Sequence, residues 1–243
     1  MKAVGISDIG RCRKNNEDSY RIRSGGDSAH NLFVVADGMG GCNAGEIASS
    51  SAVDAFLRCT EEKEKNTRPS EIPDLLAEGI AAANKAVFEK AGTKEEFSEM
   101  GTTMVAAAVR EDRVYVAYAG DSRAYLFHEG RLKPLTTDHS YVMELVKMGS
   151  ITKEEAAEHP KRNIITRAVG VKESVETDSV TADVCGGDLL LLCTDGLSGM
   201  LSDAAMQMLL QKELSVEEKA SLLVAEANRL GGYDNISLIL VEI

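Results

Sequence analysis

The chain has 243 residues, 44% of them hydrophobic, which is enough to bury a full core within the size range of one large domain. Its formal net charge of −12 argues against a nucleic-acid binder, whose affinity comes mainly from Lys and Arg neutralising phosphates. An anionic substrate is compatible with that charge where metal ions supply local positive charge.

Apolar and β-branched runs predict strands at residues 2–6, 18–23 and 31–36. Amphipathic helices are expected at 44–59 and 74–91, the second with Leu75, Leu76, Ile80, Ala83, Val87 and Phe88 as one apolar stripe. Between them, EEKEKNTRPSEIP is charged and holds Pro69 and Pro73, so it reads as a solvated loop. Strands at 103–110 and 113–119 flank Glu111 and Asp112, a two-residue hairpin turn, and a strand at 123–128 follows. Residues 138–170 break the pattern with short helices at 141–149 and 153–158 and basic Lys161, Arg162 and Arg167, and are read as a substrate-facing flap. A strand at 188–193, helices at 203–211 and 216–230 and a strand at 236–242 complete the chain. Sequential strands of this kind predict antiparallel sheets with helices packed on them, in one domain spanning 1–243.

Four aspartates mark ends of these strands: Asp37 in LFVVADGMGG, Asp121 in VYVAYAGDSR, Asp195 in LLLLCTDGLS and Asp234 in GGYDNISLIL. Asp-Gly and Asp-Asn are also ordinary turn dipeptides, and for any single position the turn reading stands beside the functional one. Taken jointly the four favour one site, because a carboxylate directly after a buried strand is held rigidly and a following glycine lets carbonyls approach a ligand. Upstream, SDIGRCRKNNEDSY sets Arg13 beside Asn16, Glu17 and Asp18. A guanidinium fork suits phosphate oxygens, and the neighbouring acids suit metal-associated water.

The five cysteines, Cys12, Cys42, Cys59, Cys185 and Cys193, lack CxxC spacing and predict neither a disulfide framework nor a zinc site. Four histidines, His30, His128, His139 and His159, give little support for a histidine-rich site, so oxygen ligands point to Mg2+ or Mn2+. No window approaches the roughly 18 consecutive apolar residues of a membrane span, so a cytoplasmic protein without membrane insertion is expected.

SDIGRCRKNNEDSY, VVADGMGG, MGTTMVAAAV, VAYAGDSRAYL, LTTDHS, IITRAVG, LLLCTDGLS and DNISLILV, in this order, resemble the metal-dependent type 2C protein serine/threonine phosphatases, the PPM family, in its bacterial single-domain form. The resemblance implies an α+β fold in which two antiparallel β-sheets pack face to face between α-helices, an αββα sandwich, with metals at one end. It implies that Asp37 bridges two ions, that Gly38 contributes a carbonyl to the second, and that Asp195 and Asp234 complete the first. Asp121 and Asp195 would hold a third ion, Arg13 would bind phosphate, Glu17 and Asp18 would order water, and Asn235 would support the last ligand. Gly101, Thr102 and Thr103 match a motif read as structural.

The implied reaction is hydrolysis of phosphoserine and phosphothreonine in proteins by a water bridging two Mn2+ or Mg2+ ions, reversing a cognate serine/threonine kinase. A monomer is the default expectation. A catalytically silent phosphoprotein-binding module is the first alternative, disfavoured because all four aspartates and Arg13 are present, and a partner-switching regulatory phosphatase is the second. One departure concerns the acid for the leaving group: many relatives have histidine after the first Asp-Gly, where this chain has Met39, which cannot donate a proton. His139 and His159 are the remaining candidates near the flap, with an ordinary turn or surface histidine the stronger expectation for both.

Overall fold

The computed structural model describes residues 1–23, 31–40, 44–64 and 67–243, so Cys42, His30 and part of the charged connection at 65–66 lie outside the described residues. Two sheets form the centre. One runs, in spatial order, β1 (Lys2–Asp8), β11 (Ile236–Glu242), β10 (Leu189–Cys193), β7 (Arg123–His128) and β8 (Arg131–Pro134). The other runs β2 (Asp18–Arg23), β3 (Asn31–Met39), β5 (Met104–Arg110), β6 (Arg113–Ala119) and β9 (Asp178–Asp183), with the short β4 (Gly101–Thr102) paired to the end of β3. Every pairing among the described strands is antiparallel.

Strand side chains alternate between faces, and the sequence uses both. On β3, Leu32, Val34 and Ala36 join an outer core under α1 (Ala44–Glu64) and α2 (Ile72–Ala91), while Phe33 and Val35 point between the sheets. On β10, Leu189, Leu191 and Cys193 face α5 (Asp195–Ser198), α6 (Asp203–Leu210) and α7 (Val216–Arg229), while Leu190 and Leu192 fill the inter-sheet layer. The apolar runs in these strands are therefore continuous because both faces are covered. No helix among the described residues is long and apolar enough to cross a membrane.

Residues 138–170 leave the first sheet after β8 as α3 (Tyr141–Lys147) and α4 (Lys153–Glu158), whose N-termini are capped by Ser140 and Thr152. The excursion returns through bridges of Ile165 to Ser140 and of Val169 to Thr102. The Glu111–Asp112 hairpin is as expected, with Arg110 opposite Arg113 and Glu111 in the left-handed region at φ 55°.

Several expectations are corrected. Phe88 is 40% exposed and lies off the α2 stripe, which is built instead by Ile72, Leu76, Ile80, Ala83 and Val87. Part of the expected charged loop is helical: α1 continues to Glu64, Pro69–Glu71 makes one 3-10 turn, and α2 starts at Ile72. Pro73 then falls in a first helical turn, where its missing N–H has no partner to lose. Strands β8 and β9 were not expected; both are sheet edges, where one flank meets solvent and RLKP or DSVTAD carries only a weak apolar signal. Phe56, fully buried beneath α2, should cost about 3–5 kcal/mol when changed to Ala, whereas Phe88→Ala should stay within about 0.5 kcal/mol. Denaturant unfolding of the two variants checks the contrast; equal losses would return Phe88 to the core.

Candidate active site

Antiparallel pairing brings the chain's scattered acids to one rim. Asp18 of β2 sits directly opposite Asp37 of β3, and on β3 the Phe33, Val35, Asp37 alternation aims Asp37 between the sheets. In the facing sheet Cys193 pairs with both Leu238 and Arg123, so Asp195 just after β10, Asp234 just before β11 and Asp121 just before β7 meet at the same end. Strand β3 extends past Asp37 to Met39 because β4 pairs with Gly38 and Met39. The four aspartates singled out in the sequence thus share one site, and Asp18 joins them.

Their charges oppose one another. Burial, reinforced by Asp195, pushes the Asp121 carboxyl up to about 7. Burial also raises Asp18 to about 7 against the hydrogen bonds it accepts, with Asp195 and Asp234 adding to the rise. Asp37 is raised well above the ordinary carboxylate range, by burial first and then by Asp18, Asp195 and Asp121. Asp195 is raised by burial and then by Asp234. Two buried carboxylate oxygens, Asp18 Oδ1 and Asp195 Oδ1, have no hydrogen-bond partner among the described residues. Buried charges are normally paired or coordinated, and orphaned acceptors among like charges are a donor set for hard cations. The residues present fit Mg2+ or Mn2+.

The backbone around the acids is tightly fixed. Asp37 N–H donates to Thr103 Oγ1 at 3.0 Å, and its carbonyl accepts from Thr103 N–H at 2.9 Å and Thr102 Oγ1 at 2.8 Å. Thr103 Oγ1 also meets Ser122 Oγ at 2.7 Å, tying the Asp37 strand to the Asp121 turn, so the Gly-Thr-Thr motif is structural. At Gly38 an added Cβ would stand 2.1 Å from the Gly45 carbonyl and 2.5 Å from that of Glu17, which leaves room for no side chain. Thr194 Oγ1 donates to Asp18 Oδ2 at 3.0 Å, fixing that carboxylate.

Asn235, almost fully buried, organises the loop that carries Arg13 and Glu17. Its Nδ2 donates to the carbonyls of Ile9 at 2.9 Å and Asn15 at 3.0 Å, and its Oδ1 accepts from Glu17 N–H at 2.8 Å. Arg13 Nη2 donates to Asp234 Oδ2 at 2.7 Å while half of the Arg13 side chain is exposed at the mouth. Glu17 lies beside this pair, its carboxyl raised chiefly by burial.

A cleft of ≈ 720 Å³ opens from Asp121 and Asp195 towards the α3–α4 excursion, with Lys153 and Arg162 on its far wall. The expected basic patch does not converge: Arg167 turns inward to Asp178 at 2.9 Å, Lys161 lies over the Tyr141 ring, and Arg162 Nη1 donates to the Ala157 carbonyl. His139 is fully buried and stacked on Tyr118, with Nδ1 accepting from Gly120 N–H at 3.1 Å and Nε2 3.2 Å from Asp178. Burial lowers its pKa, so it is a neutral structural histidine; His159 Nδ1 accepts from Lys161 N–H at 3.0 Å in an α4-terminal turn.

Sequence reasoning missed Thr194, Ser122 and the Arg123–Asp138 pair, bidentate at 2.8 and 2.7 Å, which braces the strand beside Asp121. Arg123 and Asp138 sit inside GDSR and TDHS, strings whose acids and hydroxyls were visible without any sign of mutual contact.

This arrangement of carboxylates at one end of an αββα sandwich defines a metal-dependent phosphatase. Residues 11–228 match the protein phosphatase 2C family. The chain is 40% identical over 242 residues to the serine/threonine phosphatase stp of Listeria welshimeri, covering 100% of this chain and 96% of that protein. Its fold is similar to that of the S. agalactiae serine/threonine phosphatase, with a TM-score of 0.93 and 37% identity over 100% of this chain and 99% of the other. It is also similar to the catalytic domain of PstP in complex with two manganese ions, with a TM-score of 0.85 and 33% identity over 99% and 97% of the chains. The protein belongs to the protein phosphatase 2C family.

The raised carboxyls set a pH signature for the metal-free protein. Asp18 and Asp121 titrate near 7 when folded against 3.8 ordinarily, so the folded state binds more protons and loses stability as pH rises through that window. Asp37 and Asp195 act in the same sense, whereas His139, lowered by burial, acts in the opposite one. In EDTA the melting temperature should fall between about pH 5.5 and 7.5, and Mn2+ should restore more at the upper end. Melting that stays level or rises with pH in EDTA would contradict the cluster's electrostatics.

Proposed function

We propose that this protein hydrolyses phosphoserine and phosphothreonine esters in other proteins, dependent on Mn2+ or Mg2+. The observation that carries the reading is the group of buried, mutually repelling carboxylates at one rim, two of them with orphaned oxygens. On this reading Asp37, the Gly38 carbonyl, Asp195 and Asp234 hold two ions, and Asp121 with Asp195 holds a third, weaker one. Bound there, the ions supply an activated water as nucleophile and neutralise charge on the phosphoryl oxygens.

The chain's own residues do the rest. Asp18, clamped by Thr194, and Glu17 position water through their carboxylates. Asn235 holds the Arg13 loop in register with the acids. Arg13 has one donor on Asp234 and further donors towards the open mouth, where a phosphoryl group is met by a planar fork. Cys193, two residues before Asp195, is disfavoured as a nucleophile, being fully buried among helix-facing side chains with its thiol pushed up to about 12.

The wide cleft beside Asp121 and Asp195 suits a phosphorylated peptide with its flanking residues, which supports protein substrates. We place the enzyme in the cytoplasm, as a monomer of one domain over 1–243 with 138–170 as a selectivity flap, reversing a serine/threonine kinase.

Phosphate release from a phosphothreonine peptide tests the reading. Mn2+ or Mg2+ should be required and EDTA should abolish turnover. Asp37→Asn and Asp195→Asn should each lower kcat more than about 100-fold, beyond the about 10–100-fold typical of losing a residue that merely supports a ligand. Turnover persisting in EDTA, or at wild-type rate in Asp195→Asn, would remove the assignment. Arg13→Ala should raise KM about tenfold or more and change kcat less, because a charged hydrogen bond to phosphate is also made in the bound ground state. A collapsed kcat at unchanged KM would contradict that role.

A further inference from the structure

A second group of metal-ligating side chains lies at the opposite pole of the sandwich. Strands β7 and β10 each have one end at the acidic rim, at Arg123 and Cys193; their other ends carry His128 and Asp188. The length of β7 separates the two poles by roughly 20 Å. Around Asp188 the chain turns through Cys185, Gly186 and Gly187, with Asp188 N–H donating to the Cys185 carbonyl at 3.1 Å. His128, Cys185 and Asp188 come together there, and theirs is the one trio of potential ligand atoms, among the described residues, lying within 4.8 Å of one another.

The geometry approaches a tetrahedral ligand face. Zinc bonds of about 2.3 Å to sulfur and 2.0 Å to nitrogen at tetrahedral angles set N and S about 3.5 Å apart, and N and O about 3.3 Å apart. Here Cys185 Sγ lies 3.8 Å from His128 Nδ1, and His128 Nδ1 lies 2.7 Å from Asp188 Oδ1. The second distance is that of a hydrogen bond, so the proton between His128 and Asp188 occupies the place a cation would take. Small side-chain shifts convert one arrangement into the other.

Asp188 is prepared for a cation. It is 3% exposed, and its Oδ2 accepts from Cys185 N–H at 2.9 Å, which turns Oδ1 towards the imidazole. A buried carboxylate needs a positive partner, and orientation by a backbone donor is the outer support that metal sites use. His128 and Cys185 are exposed, which leaves an entry path and room for a fourth, non-protein ligand; Glu129 Oε1 stands 4.0 Å from His128 Nε2, on the other side of the ring. One nitrogen, one thiol sulfur and one oxygen select a borderline ion of the zinc type, unlike the all-oxygen set at the acidic rim.

We infer that His128, Cys185 and Asp188 form a second metal site, for Zn2+ or a similar borderline divalent ion, distinct from the phosphatase centre. Binding replaces the shared His128–Asp188 proton and the Cys185 thiol proton, which leave to solvent, and forms N, S and O bonds to the ion without change of oxidation state. The bound ion links the β7–β8 hairpin to the turn before β10.

Cobalt serves as probe because only thiolate ligation gives a thiolate-to-metal charge-transfer band in the near ultraviolet, to which an all-oxygen site does not contribute. With the acidic rim filled by Mg2+, Co2+ titration of the full chain should give this band, saturating at a single equivalent, and equimolar Zn2+ should bleach it. Cys185→Ser should abolish the band while unfolding at the wild-type temperature in EDTA, and His128→Ala, less stable for loss of the Asp188 partner, should weaken Co2+ binding at least about tenfold when folded. No band at excess Co2+, or an undiminished band in Cys185→Ser, would overturn the site. Loss in Cys185→Ser with unchanged affinity in His128→Ala would also overturn it, leaving only a reactive thiol.

Discussion

Repulsion among buried carboxylates is the constraint on which the structure turns. Asp18 and Asp37 face each other across a strand pair, and Asp195 from the facing sheet adds its repulsion to Asp37. Close packing at such positions would ordinarily select apolar side chains, and the layer immediately below, with Val35, Val105 and Leu192, does so. The rim is therefore strained in its metal-free form, and the sheets supply the rigidity that keeps the acids from separating. Strain of this kind marks a place where sequence serves function at the expense of stability.

What resists the repulsion is a set of neutral hydrogen bonds one layer behind the acids. Thr103 ties the Asp37 backbone to Ser122, Thr194 holds Asp18, and Thr194 N–H reaches the Ser237 carbonyl at 3.0 Å. Gly120, with φ at +115°, lets the chain turn from β6 into Asp121 while pressed against Thr103, where a Cβ would come within 2.6 Å of Thr103 Cβ. These contacts fix the Asp18 carboxylate and the backbone at Asp37.

Much of this was legible in the sequence. Continuous apolar runs ending in Asp-Gly gave the strands and the acids, because a strand covered on both faces has a strong signal and a carboxylate at its end stands out. Edge strands RLKP and DSVTAD were not legible, since an edge need be apolar on only one face. Phe88 was misplaced because an apolar residue beside a helical stripe is indistinguishable, by spacing alone, from one within it. The support by Thr194 and Asn235, and the meeting of His128 with Cys185 and Asp188, depend on strand order, which local pattern does not encode. Arg167 looked like part of a basic surface patch because its partner Asp178 belongs to an edge strand the pattern did not reveal.

The Asn235 tie sets the order in which the centre can assemble. It joins the last strand's entry to Ile9, 226 residues earlier, and Arg13 meets Asp234 across a similar span. Among the described strands the edge strand β1 pairs with β11 alone, so the Arg13 loop gains its fixed position only when β11 docks. Closing so long a loop is entropically costly and slow, and it comes after the β3–β5–β6 sheet, whose contacts are local, can already have formed. The β3–β5–β6 pairings that carry Asp37 and lead to Asp121 need no such closure, so the centre is completed only when β11 docks.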